Sequence, residues 1–224
     1  MKQEKHVLVI FPHPDDEAFG VSGSISSYID AGIPVTYACL TLGEMGRNLG
    51  NPPFATRESL PEIRRKELEE AAKVMEQIFE WGCAIKQLNS SNLKMKQMVL
   101  DLLAELQPSL VISFYPGYAV HPDHDATGEA VVAALNELDP TTRPVFYAVA
   151  FSNNHENDIG PADIIHDVSN YATRKLDTLR AHASQLAWTL PSMEKAYHEG
   201  VPEAVERLTK ERFWTYYSSD LERN

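Results

Sequence analysis

Residues 7–17 read Val7-Leu8-Val9-Ile10-Phe11-Pro12-His13-Pro14-Asp15-Asp16-Glu17, an apolar run followed by an imidazole and three carboxylates. A short continuous apolar run rich in branched residues is the pattern of a strand covered on both faces. From Glu17 to Ala31 apolar residues recur at helical spacing, so the segment reads as strand, charged connection and helix. Ionised side chains crowded at the end of a buried strand are costly unless a cation or a hydrogen-bonded network compensates them. A bound metal with a base beside it meets that requirement. A second stretch has the same grammar: Leu110 to Tyr115 is apolar, and His121-Pro122-Asp123-His124 follows it, opening a helical stretch from His124 to Leu138. Two ligand-rich loops at the ends of two strands can complete one site.

Outward from these two units the alternation continues. Gly32-Ile33-Pro34 turns the chain into an apolar strand, Val35 to Leu42. Residues 43–61, with three glycines and three prolines, read as a long loop of the kind that carries function in a compact domain. Good helix formers with an apolar stripe at Ile63, Leu68, Ala71, Ala72 and Met75 predict a helix from Pro61 to Glu80. Further expectations are a strand from Ala84 to Leu88, a helix from Leu93 to Leu106, and strands at Val145 to Phe151 and Ile164 to Val168. Helices are expected from Asn170 to about Leu186 and from Glu203 to Arg212. Strands alternating with helices predict an α/β fold, a Rossmann-like three-layer αβα arrangement with a mostly parallel sheet. In such sheets ligands bind outside the carboxyl ends of the strands, where both charged motifs fall. No Gly-x-Gly-x-x-Gly fingerprint supports a dinucleotide.

Composition narrows the function classes. A chain of 224 residues fits one domain spanning 1–224, and 43% hydrophobic with 23% charged residues is the balance of an ordinary globule. The formal charge of −12 repels phosphodiester backbones and anionic lipid, so nucleic acid is not an expected partner. Cys39 and Cys83 lie beside apolar residues, far from any Cys-x-x-Cys pairing, and read as buried free thiols. The N-terminal apolar stretch is too short for a signal-peptide core and runs straight into the ligand motif. No stretch approaches the roughly 18 apolar residues of a membrane span, so no membrane partner is expected and the expected location is the cytoplasm. A homo-oligomer is compatible with the sequence.

His13-Pro14-Asp15-Asp16-Glu17 near the N-terminus, paired with His121-Pro122-Asp123-His124, resembles the PIG-L/LmbE-like family of zinc-dependent N-acetylglucosaminide deacetylases. The likeness extends through Thr41-Leu42-Gly43-Glu44, Arg64-x-x-Glu67 and His182-x-Ser184-Gln185. Each short motif is weak alone, whereas their order and spacing together are specific. Within the family, the N-terminal block and the loop from Arg47 to Arg57 are most similar to the second of the bacillithiol-pathway deacetylases, which act on an N-acetylglucosaminyl-malate conjugate. The resemblance implies an amidohydrolase with a small-molecule sugar conjugate as its substrate.

His13 and Asp16, three apart at a helix start, can face one point that His124 approaches from the second loop, giving three protein ligands with an open fourth position. Helix capping is the bland alternative for His13 and Asp16. Imidazole with carboxylate suits one Zn2+ per chain, and Fe2+ or another divalent ion fits the same donors. Asp15, between the two N-terminal ligands, is the expected general base, with a plain N-cap as its alternative; the family likeness favours catalysis. His121 is expected beside the metal without binding it, as a donor to the tetrahedral oxyanion, and Asp123 as the carboxylate that orients one of the two histidines. Glu17 is either a helix-start charge or a structural hydrogen bond into the site.

Five cations, Arg47, Arg57, Arg64, Arg65 and Lys66, stand against Glu44, Glu58 and Glu62 in the long loop and its helix. A solvated charged face explains most of them. The resemblance assigns Arg64 to sugar hydroxyls, and Arg47 is expected to grip an anionic aglycone through paired hydrogen bonds. Tyr118, His182 and Gln185 have open roles, in the pocket or in the core, and His6, His155, His166 and His198 read as ordinary surface or core histidines. Competing readings are a deacylase of another N-acylated sugar such as a chitooligosaccharide or a glycosylated antibiotic, and a non-catalytic metal- or sugar-binding module. A nucleotide-binding oxidoreductase shares only the expected fold.

Overall fold

The computed structural model describes residues 4–75 and 92–216. Six strands form one sheet in the order β2-β1-β3-β4-β6-β5. They are β1 (Val7–Phe11), β2 (Val35–Cys39), β3 (Leu110–Phe114), β4 (Val145–Val149), β5 (Ile164–Asp167) and β6 (Lys210–Thr215). The first four are parallel, with Val7 opposite both Val35 and Leu110, and Leu110 opposite Val145. β6 runs antiparallel to both its neighbours, pairing Ala148 with Trp214 and Ile164 with Phe213. The predicted mostly parallel α/β sheet is therefore present.

Alternation along β1 explains the layers. Val7, Val9 and Phe11 pack with Ile25 of α2 (Ser22–Asp30), with Leu68 of α3 (Leu60–Val74) and with Met75 just beyond it, while Leu8 and Ile10 point the other way. There they meet Val99 and Leu103 of α4 (Asn92–Leu106) and Val131 and Leu135 of α5 (Pro122–Leu135). All five β1 side chains are buried, which is why the strand reads as continuously apolar instead of alternating. β1 lies between β2 and β3, so its connection to β2 and the return to β3 leave in opposite directions. That reversal opens a crevice at the carboxyl ends of β1 and β3, the position at which both charged motifs emerge.

Several boundaries differ from the expectations. The helix expected over 17–31 is two, α1 (Asp16–Gly20) and α2, separated at Val21 with φ −147°. The break is tolerated because Glu211 of β6 accepts the Gly23 and Ser24 N–H groups (3.0 and 2.7 Å) that begin the second helix. The helix expected from Asn170 is a 3₁₀ turn (Ser169–Tyr171), α7 (Ala172–Ala181) and α8 (Ala183–Leu186), interrupted at His182. The helix expected over 203–212 stops early: α10 (Pro202–Thr209) gives way to β6, whose Lys210, Glu211 and Arg212 pair with Asp167, His166 and Ile165. The second strand ends at Cys39, beyond which Leu40 and Thr41 donate to the carbonyls of Phe11, the last residue of β1, and Pro12 (both 2.9 Å). Two further helices, α6 (His155–Ile159) and α9 (Leu190–His198), carried no clear sequence signal. Cys39 is a buried free thiol; Cys83 and the strand expected over 84–88 lie outside the described residues.

Candidate active site

The chain leaves β1 through Pro12-His13-Pro14-Asp15 and enters α1 at Asp16, whose carboxylate Oδ2 accepts the His13 N–H (2.9 Å). Two further bonds fix the connection: the Tyr37 hydroxyl donates to the His13 carbonyl (3.1 Å), and the Thr41 hydroxyl to that of Pro12 (2.8 Å). After β3, Asp125 accepts the N–H groups of Gly117 and Ala119 (2.9 and 3.3 Å), shaping the loop that presents His121 and His124. The His124 ring lies flat on Phe114, with centroids 4.1 Å apart and planes 11° from parallel. Gly128 lets α5 approach this close, since a Cβ there would stand 2.5 Å from the Phe114 carbonyl oxygen.

These anchors bring the two motifs together. His124 Nε2 is 3.1 Å from Asp16 Oδ1 and 3.3 Å from His13 Nδ1, and His13 Nδ1 is 3.6 Å from Asp16 Oδ2. Ring nitrogens of His13, His121 and His124 all lie within 4.8 Å of one another. The chemistry of each donor follows from its outer partner. His124 Nδ1 faces the Ala119 carbonyl (2.9 Å) and His13 Nε2 faces Asp123 Oδ2 (3.0 Å); both partners can only accept, so these nitrogens carry the hydrogens. When both rings are neutral, the lone pairs of His13 Nδ1 and His124 Nε2 face each other and the Asp16 carboxylate. Such a set repels itself unless a cation sits among its members, and its imidazole and carboxylate donors fit a divalent metal ion.

Electrostatics separates the two adjacent aspartates. Burial opposes ionisation of Asp16, but the hydrogen bonds and charges of His124 and His13 outweigh it and hold its carboxyl below the ordinary range. Burial pushes Asp15 up to about 7, against the pull of the Arg64 guanidinium and with Asp16 adding to the rise. Burial likewise opposes charge on His13, yet Asp16 and Asp123 raise its pKa, as they would favour any cation at that position. His121 caps α5, its Nδ1 accepting the Asp123 N–H (3.1 Å). Burial and the neighbouring His13 lower its pKa, which leaves a neutral ring with a hydrogen on Nε2.

Asp15 occupies the N-cap position of α1 but makes no capping bond with its side chain. Its Oδ2 is instead 3.1 Å from Arg64 Nη2. The structure gives Arg64 a task other than the sugar contact expected of it. The residue is 3% exposed, with Nη1 donating to the Gly43 carbonyl (2.9 Å) and Nη2 to that of Pro14. Gly43, at φ +60°, makes room for it, since a Cβ there would stand 2.0 Å from Nη1. Arg65 pairs with Glu62 (2.6 Å) and Glu69, and Lys66 lies 3.7 Å from Glu62, the solvated face expected of them. Arg47 is exposed and has no partner among the described residues.

Behind the site, residues with open roles form a buried network. Glu17 receives His182 Nε2–H at 2.6 Å, Glu67 receives the Ser184 N–H and hydroxyl at 2.6 and 2.7 Å, and Gln185 exchanges hydrogen bonds with the Asn48 backbone and side chain (2.9 and 2.8 Å). Tyr118 is half-buried, packed edge-on against Tyr115. The sequence reading did not single out Asp125 or Phe114 for the site. Asp125 was recoverable, because a helix-start aspartate after a Gly-containing turn is a frequent acceptor for loop N–H groups.

Fold and site together define an α/β protein with a candidate divalent-metal centre at the carboxyl edge of its sheet. The family model described as PIG-L, GlcNAc-PI de-N-acetylase, matches residues 8–135, and the chain belongs to this family. It is 52% identical over 223 residues to the probable N-acetyl-alpha-D-glucosaminyl L-malate deacetylase 2 of Bacillus anthracis, covering 98% of this chain and 99% of the relative. Identity to the protein of the same name from Bacillus subtilis (strain 168) is 41% over 220 residues, covering 97% and 100%. Among solved structures, the N,N'-diacetylchitobiose deacetylase from Pyrococcus horikoshii superposes with a TM-score of 0.71 at 24% identity, covering 96% of this chain and 85% of that one, a likeness of fold.

Proposed function

We propose that residues 1–224 act as a single deacetylase domain, in the cytoplasm, that removes the N-acetyl group from N-acetylglucosaminyl-malate in bacillithiol biosynthesis. The observation that carries the chemistry is the convergence of His13 Nδ1, His124 Nε2 and Asp16 on one point, with Asp15 next to Asp16 in the chain and its carboxylate held by Arg64. The names of the relatives at 52% and 41% identity support the substrate. His13, Asp16 and His124 are assigned as the metal donors, for Zn2+ in this reading. His121 is left out of that set because the hydrogen on its Nε2 makes that atom a donor. When bound, zinc supplies Lewis acidity toward an amide carbonyl and makes hydroxide accessible near pH 7.

The chain's own residues do the rest. Asp15, beside the ligands and free of any capping bond, takes a proton from the attacking water and returns it to the departing amine, so the amide yields acetate and a free glucosamine amine. Arg64 holds the Asp15 carboxylate in place. His121 Nε2–H donates to the developing oxyanion as a neutral hydrogen bond. Asp123 fixes the His13 tautomer, and Arg47 takes a malate carboxylate. The test is a substrate panel with metal analysis. Purified protein should release acetate from N-acetylglucosaminyl-malate, lose that activity on chelation and recover it with Zn2+. Failure to deacetylate any N-acetylglucosaminide in the metal-loaded form would overturn the reading.

A further inference from the structure

Asp15 has φ 111° and ψ −23°, a backbone conformation in the left-handed half of the map that is unfavourable for any residue but glycine. Its side chain gains no capping bond in return. Something must hold the peptide there. The Asp15 N–H donates to Glu17 Oε2 (3.1 Å), and the other oxygen of that carboxylate receives His182 Nε2–H (2.6 Å). Both side chains are fully buried, so neither reaches a substrate. His182 comes from the break between α7 and α8, 165 residues along the chain. Its Nδ1 has no partner among the described residues, which leaves the bond to Glu17 as the one direction in which the ring is committed.

We propose that His182 and Glu17 are positioning residues: together they clamp the Asp15 peptide in its strained turn and so aim the Asp15 carboxylate at the metal site instead of at the α1 N-terminus. This rests on the deacetylase reading above, in which Asp15 is the base. Without the clamp, Asp15 relaxes to the extended conformation usual for an N-cap and its carboxylate leaves the Arg64 guanidinium for the α1 N-terminus, the ordinary fate of a helix-start aspartate. A purely structural role makes a different forecast. Replacing both members of a buried polar pair by apolar residues of similar size is often neutral for stability, whereas removing the clamp must still release Asp15.

The experiment compares wild type with Glu17→Leu/His182→Leu and with His182→Gln, whose amide can donate from about the place of Nε2. The double variant is expected to keep a Tm near that of wild type, a full equivalent of metal and an unchanged KM, while kcat falls about 10²-fold, the scale of a misplaced base. His182→Gln should hold kcat within about fivefold, because the donor to Glu17 is retained. In the metal-free proteins, exchange of the Asp15 amide with solvent should accelerate at least about tenfold in the double variant and stay slow in His182→Gln, with α2 amides unaffected. Wild-type kcat in a folded, metal-loaded double variant overturns the proposal, as does a loss in His182→Gln equal to that of the double variant. If the double variant does not fold, fast Asp15 amide exchange in His182→Gln overturns it and slow exchange with retained kcat supports it. Inactivity of wild type toward every N-acetylglucosaminide would sink the deacetylase reading instead, and amide exchange would still judge the clamp.

Discussion

Asp15 and Asp16 are adjacent carboxylates driven in opposite directions. Asp16, between two imidazoles, stays ionised, as its proposed role as a ligand requires, whereas burial lifts Asp15 to about 7, where a group can both accept and return a proton. Asp15→Asn should therefore retain a full equivalent of metal and lose about 10²- to 10⁴-fold in kcat, read by elemental analysis alongside steady-state kinetics. Near-normal turnover would move the base elsewhere. The Asp123 carboxylate touches His13 Nε2 at 3.0 Å and stands 3.8 Å from His121 Nδ1, so it serves the proposed ligand and not the proposed oxyanion donor, which Asp123 meets only through its backbone N–H. Asp123→Ala should weaken metal affinity about 10- to 100-fold, the usual cost of losing a ligand's orienting partner. An unchanged metal affinity by competition with a chelator would argue against that. At this scale the converging residues were legible because histidines and carboxylates have few other reasons to crowd a strand end. The task of Arg64 was not legible, since two of its acceptors are the Gly43 and Pro14 carbonyls, which leave no mark in a sequence.

Among the elements, β1, and β3 with α5, could be read directly, because buried parallel strands are continuously apolar and their connections are short. The broken helices could not. Periodicity registers apolar spacing, but α2 begins where it does because Glu211, far along the chain, accepts its first N–H groups. Glu211 also receives Lys175 Nζ at 2.5 Å, both side chains being buried. Glu211→Ala should lower unfolding free energy by about 3–5 kcal/mol, because it leaves a buried ammonium and two helix N–H groups uncompensated. Glu206→Ala, which removes exposed pairs with Arg212 and Lys210, should cost about 0–1 kcal/mol. Equal urea midpoints for the two variants would contradict the assignment. The α7–α8 break has its own signature in pH. Burial alone would lower the His182 pKa, but Glu17, with Asp15 and Glu67 behind it, outweighs burial and raises it. A base whose pKa rises on folding contributes stability that is whole below the unfolded value near 6.5 and is lost as pH climbs through the raised folded value. The stability of metal-free wild type over that of His182→Gln should thus shrink as pH rises above 6.5. A difference that does not change with pH would place the His182 proton elsewhere.

Over the whole molecule the charge of −12 is a field against which an anionic substrate must be captured. The sequence locates five cations in the segment from Arg47 to Lys66, but composition cannot say which of them are already used. The fold supplies that division. Arg64 is buried against Asp15, Arg65 and Lys66 face Glu62, and Arg57 donates to the Gly46 carbonyl (2.5 Å), whereas Arg47 stays exposed with no partner among the described residues. Arg47 precedes Asn48, which is tied to Gln185, so the loop that carries it is anchored to the network behind Asp15. A malate conjugate brings two carboxylates that a neutral inositol conjugate lacks, and a guanidinium can take one of them with two parallel hydrogen bonds. Arg47→Ala should accordingly cut kcat/KM for N-acetylglucosaminyl-malate about 10- to 100-fold, the loss of roughly 1.5 to 3 kcal/mol from one charge-assisted contact, and leave the inositol conjugate nearly untouched. Added salt should shrink the wild-type preference for malate and change the variant's selectivity little, because screening acts on the contact that the variant lacks. Equal kcat/KM for the two conjugates in wild type, or parallel losses in the variant, would remove Arg47 from the aglycone site while leaving the proposed metal centre and base as they stand.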